Sequence, residues 1–391
     1  ESMVLEMRKM KDSGIEWIGE IPEGWRTINP KALFTQRKDK AQKGERQLTS
    51  SQQYGILYQD DYMELTGSKV VTVEKDFDIL KHVEAGDFVI SMRSFQGGLE
   101  YSTKSGAISS AYVMLVPNLE LVYPRFYRWL LKSSVYIDAL QRTTNMVRDG
   151  QAMRYSNFAQ VRLFTLPLDE QKSRADFLDL ECSSIDKILF KTRSSIEEYK
   201  KLKQAVITQA VTKGVRGERE MKDSGVEWIG EIPKEWDILD LVAHTSMLTP
   251  MRDRPENLDG PIPWIRIEDF DGKYISSSKA SLGVSKETVR SMNLKIYPVG
   301  TILCTSSCIM GKCAIVSREL VSNQRFIGII PDQNTCENFL YYLMLSNSER
   351  MNYLATGALQ ANLSRSSFEH LKVQFPSYQE QKEISDYLDT K

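Results

Sequence analysis

Residues 11–22 read KDSGIEWIGEIP and residues 222–233 read KDSGVEWIGEIP, so twelve residues recur with one change after a shift of 211 positions. A further tryptophan follows each copy, Trp25 in the first and Trp236 in the second. Near-identity over this length does not arise by chance, and self-similarity at a fixed distance is typical of a duplicated structural unit. The repeat therefore predicts two copies of one fold.

Three later features return in the same order. Residues 86–91 (GDFVIS) correspond to 300–305 (GTILCT), residues 125–131 (RFYRWLL) to 338–344 (NFLYYLM), and residues 166–171 (LPLDEQ) to 375–381 (FPSYQEQ). Between these landmarks the two copies differ strongly. Such a pattern is typical of one scaffold that carries two different surfaces.

Short apolar runs predict strands, and apolar residues at helical spacing predict helices. The strand predictions are 69–73, 87–92 and 111–116 in the first copy and 263–267, 301–305 and 314–316 in the second. The short helices are expected at 124–133 and 337–346. We therefore predict the fold class α/β (α+β), with two similar mixed α/β domains.

Residues 169–212 contain neither glycine nor proline and predict one long helix. Apolar residues follow two interleaved seven-residue registers, the seam of a coiled coil. The registers are Leu178, Ile185, Tyr199 and Val206, and Ala175, Cys182, Leu189, Ile196 and Ala210, with Thr192 and Lys203 as imperfections. At about 1.5 Å per residue the rod is roughly 60 Å long. Because a lone apolar stripe would lie in water, we expect this helix to need a partner.

These features predict four parts. Residues 1–167 form the first domain, 168–216 the central long helix, 217–376 the second domain, and 377–391 the start of a second helix that we expect to be truncated.

The composition is that of an ordinary globular protein, with 41% hydrophobic and 26% charged residues. No apolar run reaches the roughly 18 residues that a membrane helix needs, and no signal peptide opens the chain. A net charge of −1 does not indicate a nucleic-acid-binding protein. If the chain binds DNA, its positive charge must be concentrated on one face, or partner subunits must supply part of the field.

The sequence contains few signs of catalysis. Cys304, Cys308 and Cys313 lie close together, but the spacing and the scarcity of histidine (His82, His244 and His370) disfavour a zinc site. We expect these cysteines to pack along a buried strand and turn. The phosphate-binding loop, the G-x-S-x-G elbow and the H-E-x-x-H pair are absent from the sequence, as is the Asn-Pro-Pro-Tyr motif of adenine methyltransferases.

The repeated GIEWIGEIP segment with its following tryptophan, the L-P-x-x-E-Q motif and the long helix between two variable globules resemble type I restriction–modification specificity subunits. This resemblance covers essentially the whole chain. It implies that each globule is a target recognition domain that reads half of a bipartite, asymmetric DNA site, and that the long helices pair as an antiparallel coiled coil that sets the half-site spacing. The short terminal helix departs from the family pattern.

The resemblance further implies a cytoplasmic, non-catalytic subunit of a bacterium or archaeon. Its partners would be double-stranded DNA, two methylation subunits and restriction subunits, with self-association through the exposed helix as a further possibility. S-adenosylmethionine would bind the methylation subunit, and ATP and Mg²⁺ the restriction subunit. This chain would itself bind no cofactor, and the assembled complex would be an adenine-specific methyltransferase and an ATP-dependent endonuclease.

Polar loops next to predicted strands are the candidate DNA-binding segments, because arginine pairs with guanine and glutamine with adenine. In the first domain the candidates are Arg93, Ser94, Gln96, Lys104, Arg148, Gln151, Arg154 and Tyr155. In the second domain they are Arg266, Thr305, Ser306, Lys312, Asn323, Gln324, Arg325, Gln360 and Asn362. The alternative for each residue is a solvated side chain, a cap or a turn.

Other polar and aromatic motifs have structural interpretations. We expect the tryptophans of the repeated segments to be core anchors, and Glu170–Gln171 and Glu380–Gln381 to open helices. Two other functions are considered: a nuclease fused to a recognition module, and an interaction scaffold that never touches DNA. The first needs a cluster of acidic residues and lysine that does not stand out, while the near-neutral charge mildly favours the second.

Overall fold

The computed structural model describes residues 9–73, 77–91, 94–143, 154–251, 253–307, 311–355 and 363–391. The chain divides into two compact units, Glu1–Phe190 and Lys191–Lys391, which we call the first and second unit. One helix, Leu168–Lys213, runs across this division and is called the long helix. The mixed α/β fold class is confirmed, whereas our four-part division stays a prediction.

The first unit is built around a four-stranded antiparallel sheet in the order Phe34–Arg37, Val113–Pro117, Phe88–Ile90 and Glu100–Tyr101. Its other strands are Met10–Asp12, Glu20–Pro22, Arg26–Ile28, Leu48–Ser51, Gly55–Tyr58, Lys81–Val83, Gly106–Ile108 and Leu163–Thr165. Its helices are Pro30–Leu33, Gln59–Thr66, Ser94–Gly97, Pro124–Leu130, Ser134–Gln141 and Tyr155–Gln160, with a 3₁₀ turn at Phe77–Ile79. The main core lies between the sheet and the helices that follow it.

The second unit contains a five-stranded sheet in the order Thr245–Leu248, Phe326–Pro331, Ile302–Thr305, Cys313–Val316 and Tyr274–Ile275. Its remaining strands are Met221–Asp223, Glu231–Pro233, Asp237–Asp240, Ile262–Ile265, Gly283–Val284, Val321–Ser322 and Lys372–Phe375. Its helices are Lys286–Ser291, Glu337–Ser346, Ser348–Leu354, Arg365–Glu369 and Tyr378–Asp389, with 3₁₀ turns at Leu241–Ala243 and Ile267–Asp269. The first four strands of this sheet have the order and antiparallel pairing of the four in the first unit.

One predicted strand is wrong. Residues 69–73 form no strand, and the side chain of Val71 is 87% exposed. Side-chain amides satisfy their backbone instead: Gln47 accepts from the Val73 N–H through Oε1 and donates to the Val73 carbonyl through Nε2, and Gln59 donates to the Val71 carbonyl. The β-branched run was misleading because such side chains favour strands only where a neighbouring strand is available to pair.

The tryptophans that follow the repeated segment are buried in both units. The indole N–H of Trp25 donates to Glu170 Oε2 at 3.2 Å, and that of Trp236 donates to Glu380 Oε2 at 3.0 Å. The prediction of core anchors is therefore confirmed for this pair. It is wrong for Trp228, which is 43% exposed and lies beneath the guanidinium of Arg350.

The glutamine beside each glutamate is also buried and joins the first turn of the helix to its globule. Gln171 accepts from the Tyr123 N–H and donates to the carbonyls of Leu121 and Leu166. Gln381 repeats the pattern with the Cys336 N–H and the carbonyls of Asn334 and Pro376. The prediction that the Glu-Gln pairs open helices is confirmed, and the structure adds their role in fastening the helix.

A third shared contact lies further along each helix. Asp179 accepts from the indole N–H of Trp129, and Asp389 accepts from the hydroxyl of Tyr342, the residue aligned with Trp129. Burial alone would raise the pKa of Asp179, but hydrogen bonds from Arg125, Trp129 and Arg128 outweigh it and lower that pKa. The carboxylate therefore stays charged and holds the helix against the globule.

The long helix begins and ends within one residue of the predicted bounds. Ala175 is buried against the first unit, and Ile207, Ala210 and Val211 are buried in the core of the second. Between these ends, the predicted seam is exposed: Ile185 is 54% and Tyr199 70% exposed, and Leu189 and Ile196 are exposed as well. The coiled-coil pairing stays a prediction, because within the described residues these side chains remain open to solvent.

We expect Gln381→Ala to lower the free energy of unfolding of the second unit by about 2–3 kcal/mol, because one backbone N–H and two carbonyls lose their partner in a buried place. Chemical denaturation monitored by tryptophan fluorescence measures the change. The matched control is Gln379→Ala, an exposed glutamine in the same turn, which should change stability by no more than about 0.5 kcal/mol. Equal effects of the two substitutions would contradict the fastening role.

Candidate nucleic-acid interface

The turn Asn323–Arg325 connects two strands of the second unit, Val321–Ser322 and Phe326–Pro331. Its backbone is held at several points. The Ser306 N–H donates to the Arg325 carbonyl at 2.8 Å, and the Arg325 N–H donates to Asn323 Oδ1 at 3.0 Å. The Asn323 N–H in turn donates to the Ile265 carbonyl at 3.3 Å. These bonds fix the backbone while the side chains of Gln324 and Arg325 stay exposed.

Two hollows meet at this turn, and both are lined by Gln324 and Arg325. The larger has a volume of about 700 Å³ and is lined also by Thr249, Pro250, Ser306, Ser307, Phe326, Ile327, Leu354, Leu363, Ser364, Arg365 and Ser367. The smaller has a volume of about 240 Å³ and is completed by Arg254, Leu258, Trp264, Arg266, Leu282 and Asn323. We call the two hollows together the arginine cleft.

The arginine cleft is electropositive. Four arginines line it, and among the described residues no aspartate or glutamate does. Within the same described ranges, the guanidinium groups of Arg254 and Arg325 form neither an ion pair nor a hydrogen bond. Arg266 carries a buried Nε–H without a hydrogen-bond partner, whereas Arg365 is paired with Glu369. In a chain of net charge −1, positive charge is thus concentrated on this surface.

Five of the second-domain candidates are brought together here, namely Arg266, Ser306, Asn323, Gln324 and Arg325. Lys312 is exposed but does not line either hollow. Thr305 needs a correction, because its side chain is fully buried within the sheet and its hydroxyl accepts from the Lys312 N–H. A buried hydroxyl in this position stabilises the hairpin and does not reach a groove.

The first-domain candidates are spread over several elements. Gln96 is exposed on the helix Ser94–Gly97, and the Lys104 ammonium lies 4.9 Å from the centre of the Tyr58 ring. Arg154 is exposed at the start of the helix Tyr155–Gln160, and the Tyr155 hydroxyl donates to the Phe34 carbonyl at 3.4 Å.

Ser94 needs the same correction as Thr305. Its side chain is buried, and its hydroxyl oxygen accepts from the Ser91 N–H at 2.8 Å. Arg93, Arg148, Gln151, Gln360 and Asn362 lie outside the described residues. DNA contact by each individual residue stays a prediction.

Sequence reasoning missed two arginines of the cleft. Arg254 follows a charged loop, and Arg365 is the first residue of a short helix capped by Ser364. Arg254 is not adjacent to a glycine-rich or amide-rich loop, whereas Arg365 lies three residues after Asn362. Both arginines join the cleft only because segments far apart in the chain fold next to the turn Asn323–Arg325.

The cysteines pack as expected where they are described. Cys304 and Cys313 face each other on neighbouring antiparallel strands and are buried. Burial raises the pKa of the Cys304 thiol, which disfavours the thiolate that a metal would need. Cys308 lies outside the described residues. Within the described ranges, no group of three or more histidine, cysteine, aspartate or glutamate side chains is arranged so that it could hold a metal ion.

In the described parts of the chain, the helices are either too short or too polar to span a membrane.

Comparison with known proteins finds one family model and several relatives that are similar to this chain. Residues 234–390 match the family model of the type I restriction modification DNA specificity domain. The MjaIX specificity subunit of Methanocaldococcus jannaschii is 34% identical over 179 residues, which cover 44% of this chain and 41% of that protein. The putative MjaX specificity subunit of the same organism is 22% identical over 395 residues, which cover 95% of this chain and 87% of that protein.

Solved structures show the same fold at low sequence identity. A chain from a study of complex assembly and conformational transition of the type I R-M system has a TM-score of 0.67 at 12% identity, covering 95% of this chain and 90% of that one. The HsdS subunit from Thermoanaerobacter tengcongensis has a TM-score of 0.51 at 13% identity, covering 95% and 89%. The chain spans 41% of one curated relative and 87% of the other. The matched domain in residues 234–390, the repeated segments and the shared fold thus make the chain similar to type I restriction–modification DNA specificity subunits.

Proposed function

We propose that this chain supplies DNA-sequence recognition to a type I restriction–modification complex, with each unit reading one half of a split, asymmetric target. The observation that carries the proposal is the arginine cleft, where four arginines converge and no described lining residue is a carboxylate, although the chain as a whole is almost neutral. Protein–DNA affinity depends on basic side chains that neutralise phosphates, so segregated charge is the feature that DNA binding requires.

The two units suit the recognition of a DNA target in two separate halves. Their sheets and the contacts of Trp25 and Trp236 with the helices match, while the loops differ in sequence. Two different recognition surfaces on the same scaffold predict two different half-sites, and therefore a target that is not a palindrome. Joining the readers in one chain makes the second contact effectively intramolecular. The long helix would set the half-site separation.

The partners and cofactors follow from this role. Two methylation subunits would dock on the chain, and restriction subunits would join them. S-adenosylmethionine would bind the former, ATP and Mg²⁺ the latter, and this chain would bind none of the three. The complex would act in the cytoplasm as an adenine-specific methyltransferase and an ATP-dependent endonuclease.

The exposed part of the long helix is the proposed docking surface for partners, or for a second copy of the chain. Besides the predicted seam, Phe177, Leu180, Ile188, Phe190 and Leu202 are exposed on it. Apolar surface of this extent on one helix is typical of an interaction site. A salt-dependent gel shift separates the proposal from a scaffold that never touches DNA, because phosphate contacts make affinity fall steeply with salt.

Exchanging residues 30–160 for the corresponding part of another specificity subunit should change only one half of the methylated site. The reason is that residues 30–160 belong to the first unit, so the second unit keeps its reading surface. The measurement is mapping of methylated adenines in cells that express the chimera with the methylation subunit. A change in both halves, or in neither, would refute the modular reading.

The double substitution Ile185→Asp and Leu189→Asp should weaken association with the methylation subunit at least tenfold without lowering the melting temperature, since both side chains are exposed. Size-exclusion chromatography and calorimetric titration measure the association. Lys187→Asp is the matched control, because it lies between them on the same exposed helix and changes the charge by the same two units. Equal binding by the double variant and the wild-type chain would rule out this surface.

A further inference from the structure

Building on the proposed function, we propose that the turn Asn323–Arg325 enters the major groove of one half-site and reads it with Gln324 and Arg325, while the hollows beside it receive the phosphate backbones. A DNA groove is a depression between two ridges of phosphate. The arginine cleft has the complementary shape, because one exposed turn lines both hollows. Reading and backbone binding are thereby assigned to different residues.

The turn is rigid enough to read bases. Two backbone bonds, from the Ser306 N–H to the Arg325 carbonyl and from the Asn323 N–H to the Ile265 carbonyl, pin it to two neighbouring segments, and the Arg325 N–H donates to Asn323 Oδ1 within the turn. In the residue before the turn, the Ser322 hydroxyl donates to the buried Tyr297 hydroxyl at 3.1 Å, which ties the turn to the interior. A reader held in place loses little conformational entropy on binding, so more of its interaction energy contributes to discrimination.

The side chains of the turn are available for base contacts. Arg325 and Gln324 are exposed, and within the described residues neither side chain has a hydrogen bond or an ion pair. A guanidinium fork matches the O6 and N7 acceptors of guanine, and a carboxamide matches the N6 and N7 of adenine. We therefore expect this half-site to contain a guanine read by Arg325, with Gln324 contacting an adjacent base.

The hollows supply different chemistry. In the smaller hollow, Arg254 has no ion-pair partner among the described residues, and the buried Nε–H of Arg266 lacks an acceptor that a phosphate oxygen would provide. In the larger hollow, Arg365 stands among the hydroxyl groups of Ser306, Ser307, Ser364 and Ser367. Charged and hydroxyl donors of this kind bind phosphate in any sequence and therefore position the protein without specifying bases.

The test compares Arg325→Ala with Arg254→Ala by selection from a double-stranded DNA library that contains a long random segment. Purified wild-type chain first defines the enriched bipartite motif. Arg325→Ala should then lose the preference for guanine at one position, by roughly 5- to 150-fold, and keep the rest of the motif. Arg254→Ala should keep the whole motif, bind all duplexes more weakly, and reduce the slope of log affinity against log salt by about one.

Two further measurements sharpen the result. Replacing the identified guanine with 7-deazaguanine removes its N7 acceptor, so the wild-type chain should bind that duplex less tightly, while the affinity of Arg325→Ala should not change. Arg290→Ala is the matched control, since Arg290 lies on the helix Lys286–Ser291 and does not line the cleft. Melting curves establish that each variant is folded, which is expected because the Arg325 guanidinium contributes no hydrogen bond or ion pair within the described fold.

The outcomes separate this inference from the proposed function. If the wild-type chain enriches no motif, the proposed function fails. If it enriches a motif that Arg325→Ala leaves unchanged, or if Arg325→Ala and Arg254→Ala only weaken binding uniformly, the assignment of the turn as reader is overturned while the proposed function stands.

Discussion

The fastening of each globule to a helix through one Glu-Gln pair is the constraint on which the rest of the structure depends. The glutamate accepts the indole N–H of the tryptophan that follows the repeated segment, and the adjacent glutamine satisfies three backbone groups of the globule. Buried polar groups cost free energy unless they are paired, so this network is favourable in only one orientation of helix and globule. The same arrangement at Trp236 and Gln381 gives the second unit its geometry.

This constraint distinguishes the scaffold that the two units share from the surfaces in which they differ. The tryptophan and the glutamine are buried in both units, and the glutamate is buried in the second and half-buried in the first, so the same contact holds both helices. The loops that differ in sequence between the two units are not bound by this requirement. Their residues are free to differ without changing the fold, and a chain with two unlike reading surfaces on like supports is the result.

The charge distribution explains how a nearly neutral chain can be built for DNA. Acidic residues are numerous, but many are engaged in ion pairs, such as Glu383 with Arg216 and Glu380 with Arg219. Of the four arginines that line the cleft, only Arg365 is neutralised by an ion pair within the described residues, with Glu369. Because salt screens exposed charges beyond roughly 10 Å, local segregation matters more for phosphate binding than the net charge does.

The sequence by itself determined the duplication, the mixed α/β class, the long helix and the burial of Trp25 and Trp236. Each of these depends on a local pattern, whether a recurring segment, an apolar period or an unbroken run without glycine and proline. Only the tertiary structure decided that residues 69–73 form no strand, that Ser94 and Thr305 are buried, and that Arg254 and Arg365 join the turn at Asn323–Arg325. These outcomes depend on which distant segments pair and in what register, and composition or spacing along the chain does not carry that information.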